Sequence, residues 1–123
     1  MTEEISESVI QISDNVVATI AGLAALETPG VASMSGGLSD FTKLLSGKNE
    51  QRGVRVEVGQ LETIIELSVV IKYKMKIQEV CRNLQENVID QVEFMTGLKV
   101  KQVIVKVEGI DYKEEDKEPS RVV

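Results

Sequence analysis

The sequence predicts an α+β fold in which two helices pack on one face of a small, mostly antiparallel sheet, with a helical insert between the halves. Three observations predict it. Thr63, Ile65, Leu67, Val69 and Ile71 share one parity, the period of a half-buried strand. Val54, Val56 and Val58 before them, and Val103, Val105 and Val107 after them, repeat that period. Between the last two, Ile77, Val80, Cys81, Leu84, Val88, Val92 and Met95 recur at helical spacing. Packing therefore accounts for most apolar residues from Gly53 to Ile110, and little polar chemistry is left over.

In chain order, residues 1–8 are polar and expected to be flexible. Val9 to Ile12 alternates apolar and polar residues and reads as a short strand. Ser13 and Asp14 offer an N-cap for a helix carrying Val16, Val17, Ile20, Ala21, Leu23 and Ala24. That helix ends near Glu27, because Pro29 cannot continue it and restricts Thr28. Val31 to Met34 reads as a second short strand.

Ser35 to Arg52 is the insert. Gly36-Gly37 breaks the chain, Leu38 to Leu45 has the pattern of a short helix, and Ser46-Gly47-Lys48-Asn49 breaks it again. A hairpin follows, turning around Gly59 to Glu62. The long helix ends at Gly97, where a left-handed residue is wanted. The last strand runs to Ile110. The charged run that follows, Asp111 to Pro119, has too little apolar content to fold. The expected organisation is a flexible stretch at 1–8, a single domain at 9–110 and a disordered charged tail at 111–123.

The chain has 123 residues, 42% of them hydrophobic and 28% charged, which suits one globular domain. Its net charge of −6 argues against a general nucleic-acid binder, whose affinity comes from cations on phosphates. One cysteine and no histidine rule out an intrachain disulfide, the common zinc sites and histidine-based triads. The acidic start, Met1-Thr2-Glu3-Glu4, is not a signal sequence. The longest apolar run, Val16 to Leu26, falls well short of the roughly 20 residues a membrane span needs. A cytoplasmic protein without direct membrane insertion is expected.

No catalytic, cofactor-binding or metal-binding residues stand out, and no cofactor is expected. Cys81 lies on the apolar helix stripe, without a histidine to activate it, and reads as a small packed residue. Gly36-Gly37 and Gly47-Lys48 match neither phosphate-binding motif and read as turns. Ala18 with Gly22, and Ala21 with Ala25, let a neighbouring backbone approach the first helix closely. Lys72, Lys74 and Lys76 alternate where the hairpin runs into the long helix. An extended chain there would put three amines on one side, for an anionic ligand or RNA. Against that stands the lack of aromatic platforms, since only Tyr73 is close in sequence. The uncovered sheet face should present Ile64, Glu66, Ser68, Val70 and Lys72, with Ile104, Lys106 and Glu108. Ile64, Val70 and Ile104 are the candidate self-association surface, with the charged residues as its polar rim.

The residues also carry a resemblance. The stretch Ile12-Ser13-Asp14-Asn15-Val16-Val17-Ala18-Thr19-Ile20-Ala21-Gly22, then Pro29-Gly30-Val31, then Gly53-Val54-Arg55-Val56-Glu57-Val58-Gly59 resembles the alkaline shock protein family of Gram-positive bacteria. This is the Gls-type general-stress or envelope-stress-response family. Lys76-Ile77-Gln78-Glu79-Val80, Met95-Thr96-Gly97-Leu98 and Val107-Glu108-Gly109-Ile110 are similar to its later motifs. The resemblance covers residues 9–110. It implies a small, cytosolic, non-enzymatic protein, and some members gather at the membrane through a separate anchor protein. Val31-Ala32-Ser33-Met34-Ser35-Gly36-Gly37 resembles a subgroup linked to acetyl-CoA carboxylase and fatty-acid synthesis. The chain departs from the family pattern at Lys74, where Gly is common, and at Gln78, where Pro often opens the long helix. The expected role is therefore stress response and envelope homeostasis, through homo-oligomerisation and protein partners. Those partners would be a membrane-anchoring protein or acetyl-CoA carboxylase components, with no nucleic acid. The alternative is a small RNA- or anionic-ligand-binding domain that uses Lys72, Lys74 and Lys76.

Overall fold

The computed structural model of the chain describes residues 9–35, 53–59 and 62–112. The stretch at 1–8, the insert from 36 to 52 and the tail from 113 onward lie outside the described residues. Helix α1 spans Asp14–Glu27, strand β1 Val31–Met34, β2 Val54–Val58, β3 Glu62–Lys72, helix α2 Ile77–Thr96 and β4 Lys99–Asp111.

Helix α1 starts where the sequence places it. Ser13 Oγ accepts a hydrogen bond from the Val16 N–H at 3.3 Å, satisfying one of the free donors of the first turn. At the other end the Thr28 hydroxyl, fully buried, donates to the Ala24 carbonyl at 2.9 Å and accepts from Asn87 Nδ2 at 3.0 Å, tying α1 to α2. Pro29 stops the helix and Gly30 turns the chain with φ +98°, a conformation that side chains disfavour. A Cβ at Gly30 would also sit 2.6 Å from Val80 Cγ2, so the turn and the start of α2 fit only around a glycine. Ala18, Ala21, Ala24 and Ala25 are all buried, which lets α1 lie close to its neighbours.

The strand expected at Val9 to Ile12 does not form. Val9 and Ile10 are 74% and 88% exposed, and only Ile12 packs against the core. A four-residue alternation with one inward side chain gains too little burial to hold a strand without a pairing partner.

Strand β3 is the centre of a four-stranded sheet. β4 runs parallel to it along its whole length, from Glu62↔Lys99 to Lys72↔Asp111. A strand has only two edges, so β1 and β2 share the other. β2 pairs antiparallel with residues 63–67 and β1 antiparallel with residues 69–71. The two meet at Ser68, whose carbonyl accepts from Ser35 N–H at 2.8 Å and whose N–H donates to the Gly53 carbonyl at 2.9 Å. The insert therefore leaves and rejoins the sheet at one point. Two of the three strand pairings are antiparallel, as expected, and the parallel one follows from helix α2 crossing between β3 and β4.

Burial along β3 alternates as the parity demands. Thr63, Ile65, Leu67, Val69 and Ile71 are fully buried under the helices, together with Leu84, Val88 and Val92 of α2. β4 is bulged twice, leaving Lys101 and Glu108 outside the register. The alternation of Val103, Val105 and Val107 lies between the two bulges. Helix α2 closes at Gly97 with φ +76°, its N–H donating to the Glu93 carbonyl at 2.9 Å.

Candidate functional site

Both helices lie on one face of the sheet, so the other face is open. On it the register sets Gln102 opposite Ile64, Ile104 opposite Glu66, Lys106 opposite Ser68 and Gly109 opposite Val70. From β2, Arg55 lies opposite Glu66. Ile64, Val70 and Ile104 thus all reach the uncovered face. Glu108 does not take its expected place there, because it is the extra residue of a bulge and Gly109 holds the register position.

The charged residues do not form a rim. Glu66 sits at the middle of the face and bridges two cations, with Lys106 Nζ at 2.6 Å and Arg55 Nη1 at 3.5 Å. The Lys106 hydrogen bond holds the Glu66 carboxyl below its ordinary range, against a smaller opposing effect of desolvation, with further help from the charges of Lys106 and Arg55. This ion strip crosses three strands. It separates Val70 from Ile64, six residues or roughly 20 Å along β3. Ile64 and Ile104 remain diagonal neighbours.

The three lysines are not aligned. β3 ends at Lys72, residues 73–75 turn, and Lys76 caps α2 without a side-chain bond to it. Lys74 has φ +74°, so the position where the family pattern favours Gly is a left-handed one. The turn brings in an aromatic that sequence separation hides. Tyr112, just past β4, joins Tyr73, Met75, Ile77 and Ile110 around a shallow concavity edged by Lys72 and Lys74. Tyr73 and Tyr112 are both largely exposed, and Lys74 Nζ lies 5.9 Å from the centre of the Tyr73 ring. None of the three lysines forms an ion pair among the described residues.

Cys81 is half-buried on α2, and burial pushes its thiol up from the ordinary range. It stays protonated and poorly nucleophilic at neutral pH, as its place on the stripe implies.

Two further residues escaped sequence reasoning. Glu93 Oε2 accepts from the Val100 N–H at 2.9 Å, and Gln85 Nε2 donates to the Val103 carbonyl at 3.1 Å. Both cap backbone groups of β4 from α2. Nothing in their spacing announces it, since the contact depends on how the helix lies over the strand.

Among the described residues, no helix is long and apolar enough to cross a membrane. In fold, the chain is similar to the zinc form of a MamM CTD variant, with a TM-score of 0.50 over 83% of this chain and 89% of that one, at 13% identity. In sequence, it is 36% identical to the uncharacterized protein Spy1614 of Streptococcus pyogenes over 85% of this chain and 88% of that protein. It is 30% identical to YqhY of Bacillus subtilis, over 84% and 77%. It is also 33% identical to a stress response regulator gls24 homolog of Streptococcus pyogenes, covering 83% of this chain and 58% of that longer protein. Residues 2–112 match the family of alkaline shock protein 23, described as having a cell envelope-related function. The chain belongs to that family, the alkaline shock and Gls24-type proteins.

Proposed function

We propose that this protein is a non-enzymatic stress-response component of envelope homeostasis that works by associating with itself and with protein partners. The observation that carries the reading is the open sheet face, where Ile104 is 37% exposed beside Ile64 and an ion strip spans three strands. Burying those aliphatics against a second copy gains about 25 cal/mol per Å² of apolar area. The strip supplies charges of both signs, which a twofold contact can match. The stress role is supported by the gls24 homologue, named a stress response regulator. The non-enzymatic reading is supported by a histidine-free sequence and a core that uses its apolar residues for packing. Partners in the form of a membrane-anchoring protein or acetyl-CoA carboxylase components, with a tie to fatty-acid synthesis, rest on the resemblance alone.

Sedimentation velocity tests self-association. Wild type is expected to form a concentration-dependent oligomer that a Val70→Asp, Ile104→Lys double variant loses. A wild type that stays monomeric at high concentration removes self-association. An oligomer that survives the double variant moves the interface off this face.

A second reading has an observation of its own. Tyr112 beside Tyr73 provides two exposed rings next to Lys72 and Lys74, the elements of a single-strand RNA contact. The net charge of −6 and the small number of cations weigh against it.

A further inference from the structure

The outer edge of β4 has two halves that the chain treats differently. Edge strands expose unpaired N–H and C=O groups and invite pairing. In the first half, Glu93 and Gln85 of α2 take the Val100 N–H and the Val103 carbonyl. Backbone groups along a ladder alternate between its two sides, so Val105 and Val107 turn theirs to the same outer edge as Val103. There the capping stops. Arg82 and Gln78, nearer the start of the same helix, make no bond to the strand, and no described residue outside the ladder hydrogen-bonds the backbone of Val105 or Val107.

This uncapped half is also the apolar half of the strand surface. Ile104, Val107 and Ile110 are each more than a third exposed. It leads into the concavity between Tyr73 and Tyr112, beside Lys72 and Lys74. In a chain of net charge −6, the two lysines at the concavity, Lys72 and Lys74, form no ion pair among the described residues and mark the place where an acidic partner is drawn in and not repelled.

We infer that the second half of β4 takes an added strand from a partner protein. The added segment is extended, aliphatic at alternating positions, and acidic at the end that meets Lys72 and Lys74. Main-chain bonds to Val105 and Val107 supply the pairing, and the tyrosine concavity with its lysines sets register and direction. The inference rests on the reading of the chain as a protein-binding module and names the surface that a partner uses.

The probe is a labelled peptide of about ten residues in which Val alternates with Thr and a run of Glu closes one end. A matched peptide ends in Lys. Fluorescence anisotropy on the full chain is expected to show binding of the Glu peptide alone. Amide exchange at Val105 and Val107 is expected to slow when it binds. Val107→Pro removes an outward N–H and spares the ladder to β3, so it should weaken binding roughly tenfold or more at near-unchanged melting temperature. Lys72→Glu with Lys74→Glu should weaken it similarly without touching the edge, which keeps the test open if the proline variant misfolds. No binding, equal binding of the Lys peptide, or binding indifferent to both variants overturns the inference. So does protection of Val105 and Val107 that rises with protein concentration alone, which gives the edge to a second copy. A labelled RNA strand that binds through Tyr112 and the lysines, indifferent to Val107→Pro, also overturns it and assigns the surface to nucleic acid. An oligomer that persists in sedimentation while the peptide fails to bind strikes this inference and leaves the proposed function standing.

Discussion

Neighbouring residues of β3 live in opposite worlds. Leu67 is fully buried beneath the helices, while Glu66 and Ser68 on either side of it face the open side of the sheet. The covered face is held by apolar burial and, among the described residues, carries one dissonant group, the Thr63 hydroxyl. The open face is organised by charge, with Glu66 between Lys106 and Arg55. One strand therefore serves as both the floor of a core and the middle of a surface, and the two faces should answer differently to substitution.

The largest expected effect tests that contrast directly. Leu67→Ala removes a buried side chain and leaves a cavity, at a cost of about 2–5 kcal/mol. Val70→Ala on the open face should cost less than about 1 kcal/mol. Urea denaturation at low protein concentration, where any oligomer has dissociated, measures both. Equal losses would mean that the open face is covered in the isolated chain, and the contrast would fall.

The contrast was legible in the sequence on the covered face and not on the open one. Parity alone assigns Ile65, Leu67, Val69 and Ile71 to one side, because the side-chain period of a strand is fixed at two. The helix ends were legible for the same kind of local reason, Ser13 at the start of α1 and Gly97 at the end of α2. What joins Glu66 to Arg55 and Lys106 is cross-strand register, which depends on pairing partners and on the bulges in β4. The same limit hid Tyr112, which meets Tyr73 only once β4 lies parallel to β3. Lys74 is intermediate. The family pattern favours Gly there, and the left-handed backbone supplies the reason. At Val9 to Ile12 the period of two misled, because alternation predicts a strand only where a neighbour completes its hydrogen bonds.

The second expected effect concerns the exception on the covered face. Thr63 is fully buried, and its Oγ1 has no hydrogen-bond partner among the described residues. Thr63→Val keeps the shape and removes the stranded hydroxyl. It should stabilise the fold by about 1 kcal/mol, read as a higher urea midpoint with unchanged slope. A loss of stability would show that the hydroxyl is satisfied in solution, so that the covered face is not as dry as its burial suggests.

The smallest effect belongs to the open face and depends on pH. The Glu66 carboxyl is depressed in the folded chain, first by the Lys106 hydrogen bond and then by the charges of Lys106 and Arg55. A depressed carboxyl contributes stability that is complete above its unfolded value and is lost as pH falls through its folded value. Protonation also leaves Lys106 and Arg55 without the anion between them. Both cations are more than half exposed, at 51% and 65%, so solvent and salt keep the contribution small. Comparison with Glu66→Gln isolates it. Wild type should be the more stable above about pH 5, and the two curves should converge below the ordinary carboxylate range. The difference should shrink in high salt, and a carboxylate NMR titration should place Glu66 below the ordinary glutamate range. Curves that run parallel through the acid range, with Glu66 titrating in the ordinary glutamate range, would show that the strip is not held in solution. The open face would then be a loose set of charges with no ordered centre for a partner to meet.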